Sequence, residues 1–305
     1  MTQNGVALIT ALLIVALATI ITVAMTTRQQ IDIRRTANII NSEQAYMYAL
    51  GAENWVRRIL LRDAKSNKID SFNDIWAIPI PPLPIVGGVV QGQIEDLQSR
   101  FNLNNLIKEG QASAEDIIFF ERLLAILELP PALAQVAVDW IDNDMEPQVP
   151  HGAEDNAYLT KTPAYRTSNT RFTNPTEMRL LAGIDNESYQ KLLPYISTLP
   201  TYSPININTA SLEILMALVK ELSESDAQTL IADREKKPFQ SIQDFLIHDA
   251  LAGLEIKANN LSVSSDYFLL TAQVQIDKAQ TQLNSILYRS SDKVEIVMRS
   301  QGAIY

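Results

Sequence analysis

No charged side chain occurs before Arg28, and from Val6 to Met25 the chain reads VALITALLIVALATIITVAM. As a helix these residues span about 30 Å, the thickness of a bilayer's hydrocarbon layer. Thr10, Thr19 and Thr22 interrupt the apolar run, and in a helix each hydroxyl can bond to the preceding turn. A cleavable secretory signal is the competing reading. The missing charged n-region, the long apolar stretch and the arginines that resume along a continuing helical pattern argue against it. A core helix this uniformly apolar would need a large surrounding core. One anchoring helix is therefore expected. Arg28, Arg34 and Arg35 follow the span, so the positive-inside rule taken alone would turn the remainder toward the cytoplasm.

Helical spacing continues to about residue 62. Ile33, Ala37, Ile40, Tyr48, Ala52, Trp55 and Ile59 fit one face at three- or four-residue steps, with Gln44 as the one polar break. A single helix over 6–62 is expected, with Gly51 as the place for a bend. It would be about 85 Å long, so its amphipathic lower half needs a domain or a neighbouring helix against it.

Length and composition narrow the rest. At 305 residues two domains are expected. With no cysteine, disulfides, thiolate metal sites and thiol catalysis are excluded, and two histidines leave little for a multi-histidine metal site. The net charge of −10 argues against nucleic acid as a partner.

After the helix, Pro79, Pro81, Pro82 and Pro84 forbid further helix, Gly87 and Gly88 suggest a turn, and the segment from Val89 alternates as a hairpin or two short strands would. Ser113 should cap a helix that Pro130 and Pro131 end, and ALAQVAVDWID is another. Six carboxylates then fall close together with no Lys or Arg between them: Asp139, Asp142, Asp144, Glu146, Glu154 and Asp155. Such crowding is unfavourable unless the groups face water or a cation neutralises them. Oxygen-only ligands on a turn-rich segment suit calcium. The spacing from Asp142 begins like an EF-hand, but Pro147 replaces its glycine and Ala153 its final glutamate. A solvated acidic loop remains the alternative. A general acid/base pair has no accompanying nucleophile or substrate signal.

Residues 205–246 resemble a helix-hairpin-helix domain through the NTA start at Asn208, the LS before a second helix, and the later PF and DF pairs. Asn208 or Thr209 should cap one helix and Ser223 the next, with Asp226 in its first turn. DNA-binding versions need a glycine-bearing hairpin whose N–H groups meet phosphate. Here the hairpin is Val219–Ser223 without glycine, and residues 64–256 carry a net charge of −13. The fold is kept and the DNA function rejected. Finally the period changes to two: Tyr267–Ile276, Gln280–Tyr288 and Lys293–Met298 read as strands, able to join the Val89–Leu97 segment in one antiparallel sheet on the N-terminal helix.

The start resembles a type IV pilin-like signal, a short polar leader ending in Gly5 before a long apolar helix. The leader departs from the usual pattern in having no Lys or Arg. Most of that superfamily has Glu at the fifth mature position, where this chain has Thr10. Loss of that Glu, FNLNNL at Phe101–Leu106, and WIDxDxExxxxxGAEDxxY from Trp140 to Tyr158 resemble the K-type minor pseudopilins of type II secretion (general secretion pathway protein K).

The resemblance implies an α+β fold: a pilin-like long N-terminal helix on a small antiparallel sheet, with a large all-helical insertion. It divides the chain into a leader at 1–5, a transmembrane helix at 6–27, the first part of a pilin-like domain at 28–109, the helical insertion at 110–255 and C-terminal strands at 256–305. It implies cleavage by prepilin peptidase between Gly5 and Val6, methylation of the new N-terminus, and a periplasmic C-terminal domain held at the bacterial inner membrane. It implies calcium on the acidic segment, and as partners I-type and J-type minor pseudopilins, other pseudopilins and the inner-membrane assembly platform. The expected role is non-enzymatic, at the pseudopilus tip, in starting assembly and export. A type IV pilus minor pilin is the alternative, and it should lack the acidic helical insertion.

Overall fold

The computed structural model describes residues 4–302, with side chains from Val6 onward; the expected leader lies partly outside the described residues. Helix α1, Asn4–Ser66, is continuous through Gly51. Thr10, Thr19 and Thr22 donate their hydroxyls to carbonyls one turn earlier, and Thr26 does likewise. The large apolar side chains from Val6 to Ile40 are bare, whereas Ala45, Ala49, Val56 and Leu60 are fully buried.

The buried face is therefore rotated from the one that the apolar spacing predicts. Trp55 is 46% exposed, and Ile33 and Ile40 are exposed. The reason is Glu53, which lies in the middle of the true buried face. Its carboxylate accepts from Arg299 Nε at 2.9 Å and Nη2 at 2.7 Å and from Ser285 Oγ at 2.6 Å. Those donors hold the carboxyl below its usual range although burial alone would raise it. A periodicity that counts only apolar residues rejects a glutamate whose partners lie more than two hundred residues away.

Five strands form one antiparallel sheet in chain order: β1, Ile80–Ile85; β2, Gly88–Asp96; β3, Tyr267–Ile276; β4, Ala279–Arg289; β5, Val294–Gln301. β2 and β3 pair from Gly88↔Ile276 to Asp96↔Phe268, so segments far apart in sequence meet at the sheet centre. Phe268, Leu270, Ala272, Val274 and Ile276 alternate onto the face that receives α1. β2 stops at Asp96 because its carboxylate accepts from Gln98 N–H at 2.8 Å and caps a tight turn there, where the sequence suggests further alternation.

Between β2 and β3 lies the helical part: α2, Ala114–Ile126; α3, Leu133–Ile141; α4, Asp155–Tyr158; α5, Asn186–Leu192; α6, Leu212–Leu218; α7, Glu224–Lys236; α8, Ile242–Leu246. One core holds these helices together, with Phe120, Leu123, Trp140, Tyr158, Leu215, Leu230 and Phe245 among its buried members. Ser113 caps α2 and Ser223 caps α7, as the sequence suggests. α6 is capped by Ser211 and not by Asn208 or Thr209. Those two residues are engaged elsewhere. Asn208 holds the backbone of Phe239 through both its amide atoms, and the Thr209 hydroxyl donates to Asp96 at 2.6 Å.

In the hairpin between α6 and α7, Glu221 sits at φ +67°, the left-handed region that favours glycine. Its side chain pairs with the exposed Lys220. Glu221→Gly should raise stability by about 1 kcal/mol, read as a higher midpoint in urea unfolding of the detergent-solubilised chain. An unchanged or lower midpoint would remove the argument that a non-glycine residue is strained there.

Two polar clusters root the helical part on the sheet. Asp96 Oδ2 accepts from Thr209 Oγ1, from Ser265 Oγ at 2.6 Å and from Asn206 Nδ2 at 3.0 Å. Arg289, at the end of β4, reaches Asp63 near the end of α1 at 2.8 Å, Asp70, and the Ser265 carbonyl at 2.7 Å. In the FNLNNL stretch, Asn102, Asn104 and Asn105 are buried and bond to the backbone of Phe172, Leu199, Thr201 and Ser203.

Candidate metal centre

The acidic segment begins in the last turn of α3 and runs to α4. Asp139 is fully buried, and both of its oxygens lie within hydrogen-bond distance of Gln148 N–H. The Gln148 carbonyl in turn accepts from Gly152 N–H at 2.6 Å. A Cβ at Gly152 would overlap the Asp139 carboxylate and the Gln148 backbone, so the glycine is required by the closeness of that approach. Asp139 thus folds the loop back over α3. Asp144 Oδ1 accepts from Glu146 N–H at 2.8 Å, which turns the chain again.

These turns bring Asp142, Asp144 and Glu154 together: one carboxylate oxygen from each lies within 4.8 Å of the others. Among the described residues they form a group that could hold a metal ion. Asp142 and Glu154 are buried and Asp144 is exposed, so the group opens to solvent on one side. Burial and the neighbouring charges of Asp144, Asp139 and Glu154 push the Asp142 carboxyl up to about 7. Glu154 is raised for the same two reasons, burial first. Asp142 Oδ1 and Glu154 Oε1 are buried without a hydrogen-bond donor. Two unpaired carboxylate oxygens beside a third carboxylate fit a hard cation, which supplies the charge that no lysine or arginine brings.

The other three candidate ligands do not join this group. Asp139 serves the loop backbone. Glu146 is exposed. Asp155 Oδ1 accepts from Thr167 N–H at 3.1 Å and Thr167 Oγ1 at 3.0 Å, and Oδ2 lies 3.5 Å from Arg166. Thr167 also lies within 3.1 Å of Glu154 Oε2 and orients it. Sequence reading misses Asn169, whose N–H donates to the Trp140 carbonyl and whose Nδ2 donates to the Asp144 carbonyl at 3.2 Å. Its Oδ1 is buried without a partner, a third unpaired acceptor in the same neighbourhood. Its left-handed φ of +47° is a conformation that asparagine tolerates. Beneath the loop, the Trp140, Tyr158 and Tyr165 rings pack together, and Lys161 lies over both tyrosines.

At the other end of the chain, Gly5 and Val6 lie in the first turns of α1, and Val6 is exposed. Thr10 Oγ1 is held by the Val6 and Ala7 carbonyls at 3.1 and 3.0 Å.

A bare apolar helix long enough to cross a membrane, continuing onto one face of an antiparallel sheet, defines an anchored pilin-like subunit with an added helical domain. Family models described as "Type II secretion system (T2SS), protein K" match residues 99–201 and 205–264. A type II secretion system protein K from Pseudomonas aeruginosa is 38% identical over 98% of this chain and 93% of its own length. One from Klebsiella pneumoniae is 34% identical over 98% and 97%. The fold matches a chain in the crystal structure of the GspK–GspI–GspJ complex from enterotoxigenic Escherichia coli, with TM-score 0.80, 26% identity, and coverage of 88% of this chain and 99% of that one. The chain belongs to the type II secretion system protein K family. Its function is accordingly that of a non-enzymatic minor pseudopilin in assembly of the secretion pseudopilus.

Proposed function

We propose that this chain sits at the tip of the pseudopilus with an I-type and a J-type minor pseudopilin, helps to start its assembly with the other pseudopilins on the inner-membrane platform, and so promotes export. The observation that carries the reading is the placement of a bulky helical domain on a sheet packed against the far end of α1, where it would obstruct a further subunit added above. The GspK–GspI–GspJ complex of the enterotoxigenic E. coli relative supports the choice of partners.

In this reading residues 1–5 are a leader cut by prepilin peptidase between Gly5 and Val6, and the new N-terminus is methylated. Residues 6–27 cross the inner membrane and the rest is periplasmic. Residues 28–109 and 256–305 make the pilin-like domain and 110–255 the insertion. Thr10, bound to its own helix, offers no charge to a neighbour's amine. Calcium is held by Asp142, Asp144 and Glu154. Asn169, bonded to the Asp144 carbonyl, offers its unpaired Oδ1 to the same ion, and Asp139, Glu146 and Asp155 shape the loop around it. The irregular loop and all-oxygen donors favour calcium over magnesium, which demands near-ideal octahedral geometry.

The test is coexpression of the full chain with I- and J-type partners, solubilisation in detergent and capture through a tag on this chain. Recovery of both partners in equal amounts is expected. Recovery of neither would overturn the tip reading.

A further inference from the structure

From Ile75 to Ile94 the chain carries no charged residue, and in its first part apolar residues on either side of the buried Trp76 and Ile80 stay uncovered. Ile75 is 69% exposed, Ile78 61% and Val86 76%, and Pro79, Pro81, Pro82, Leu83 and Pro84 are exposed between them. A run of exposed apolar residues along one strand edge is a stronger sign of an interaction site than scattered single residues are. It cannot be a membrane contact. Trp76 shares a core with Val56 and Leu60, and Val56 lies about 45 Å of helix beyond Met25. The ten residues from Trp76 to Val86 stretch at most about 35 Å.

The sheet decides what kind of contact is available. α1 lies across β3 and β4, leaving one sheet edge on each flank of the helix. A neighbour whose own helix packs along the bare face of α1 must pass one of those edges. The β5 edge is mainly charged: Lys293, Glu295 and Arg299 are exposed there, with Val297 and Gln301. The β1 edge carries the apolar ridge, and Pro81, Pro82 and Pro84 remove three of the N–H groups with which it could pair with another strand. The prolines also hold the ridge stiff, so little conformational freedom is lost on contact.

We propose that the ridge from Ile75 to Val86 is the lateral docking surface for a neighbouring pilin-like subunit, contacting it through apolar side chains and not by strand addition. The proposal rests on the minor pseudopilin reading and takes an uncharged, apolar protein surface as the occupant.

The cysteine-free full chain is coexpressed with its I- and J-type partners. A photo-crosslinking phenylalanine analogue replaces Ile78, Glu295 or, as a control on the α1 seam, Ile33. Crosslinks from 33 and 78 to a pseudopilin partner, with none from 295, are expected. Crosslinks from 33 and 295 but not 78 would overturn the ridge alone, as would crosslinks from 78 only to a second copy of this chain. No crosslink from any position would overturn both the ridge and the tip reading. The exposed pair Ile75→Glu and Ile78→Glu should weaken partner recovery about tenfold or more while leaving the unfolding midpoint of the isolated chain unchanged. Undiminished recovery would also overturn the ridge.

Discussion

Asp142→Asn should stabilise the chain in chelator and destabilise it, relative to the unaltered protein, in calcium. The crossover follows from the site's electrostatics. Asp142 is 7% exposed, and burial with three neighbouring carboxylates raises its carboxyl to about 7. The folded state therefore binds the proton more tightly than the unfolded chain does. Without metal, stability falls as pH rises from about 4 to about 7, by up to about 4 kcal/mol, and the penalty persists above 7. A neutral amide removes that penalty. A cation reverses the sign, since the same crowded oxygens now bind it and ligand binding to the native state adds stability, about 4 kcal/mol at a thousandfold excess over Kd. Thermal unfolding at pH 8, with chelator and with millimolar calcium, measures both arms. Sensitised emission from bound terbium, with Trp140 as donor, reports occupancy independently. If Asp142→Asn has the same effect in both conditions, the carboxylates form a solvated loop and not a metal centre.

Arg289→Met should cost about 3–5 kcal/mol, because it leaves two buried carboxylates without their cation. The side chains of Arg289, Asp63 and Asp70 are 7%, 11% and 1% exposed. Asp63 is already raised to about 6, by burial and then by Asp70, with Arg289 pulling it down. Without the guanidinium its carboxyl rises further, so the folded variant holds its proton to higher pH. The deficit should be larger at pH 8 than at pH 5, as compared by urea unfolding of the detergent-solubilised proteins. A pH-independent loss would point to the lost packing of Arg289 over the Phe268 ring, 4.6 Å away, and not to the charges.

The anchor and the three C-terminal strands were legible because each is a local pattern: an uninterrupted apolar run, and alternation with period two. The Ser113 and Ser223 caps were legible for the same reason. The buried face of α1 was not, because it is organised around Glu53, whose partners Ser285 and Arg299 come from the opposite end of the chain. Asn208 and Thr209 look like ideal caps by type, yet long-range bonds claim them. At the acidic segment, residue type and crowding pointed to the stretch of chain in which three carboxylates converge. They could not separate Asp142, Asp144 and Glu154, which converge, from Asp139 and Asp155, which hold backbone. Nor could they indicate Asn169, which lies beyond the acidic run and enters through a left-handed backbone turn.

The rooting of the helical domain has a mechanical consequence. Force applied along α1 from its membrane end is carried by an unbroken rod as far as Asp63, passes through Arg289 to Asp70 and the Ser265 carbonyl, and so reaches the point where the chain leaves the helical domain. Asp96 and Asn206 tie the entry of that domain to the same point. With both attachments clamped side by side in a buried polar lock, the load path contains no slack tether. A thrust on the shaft is delivered to the head as displacement and is not dissipated in bending between them.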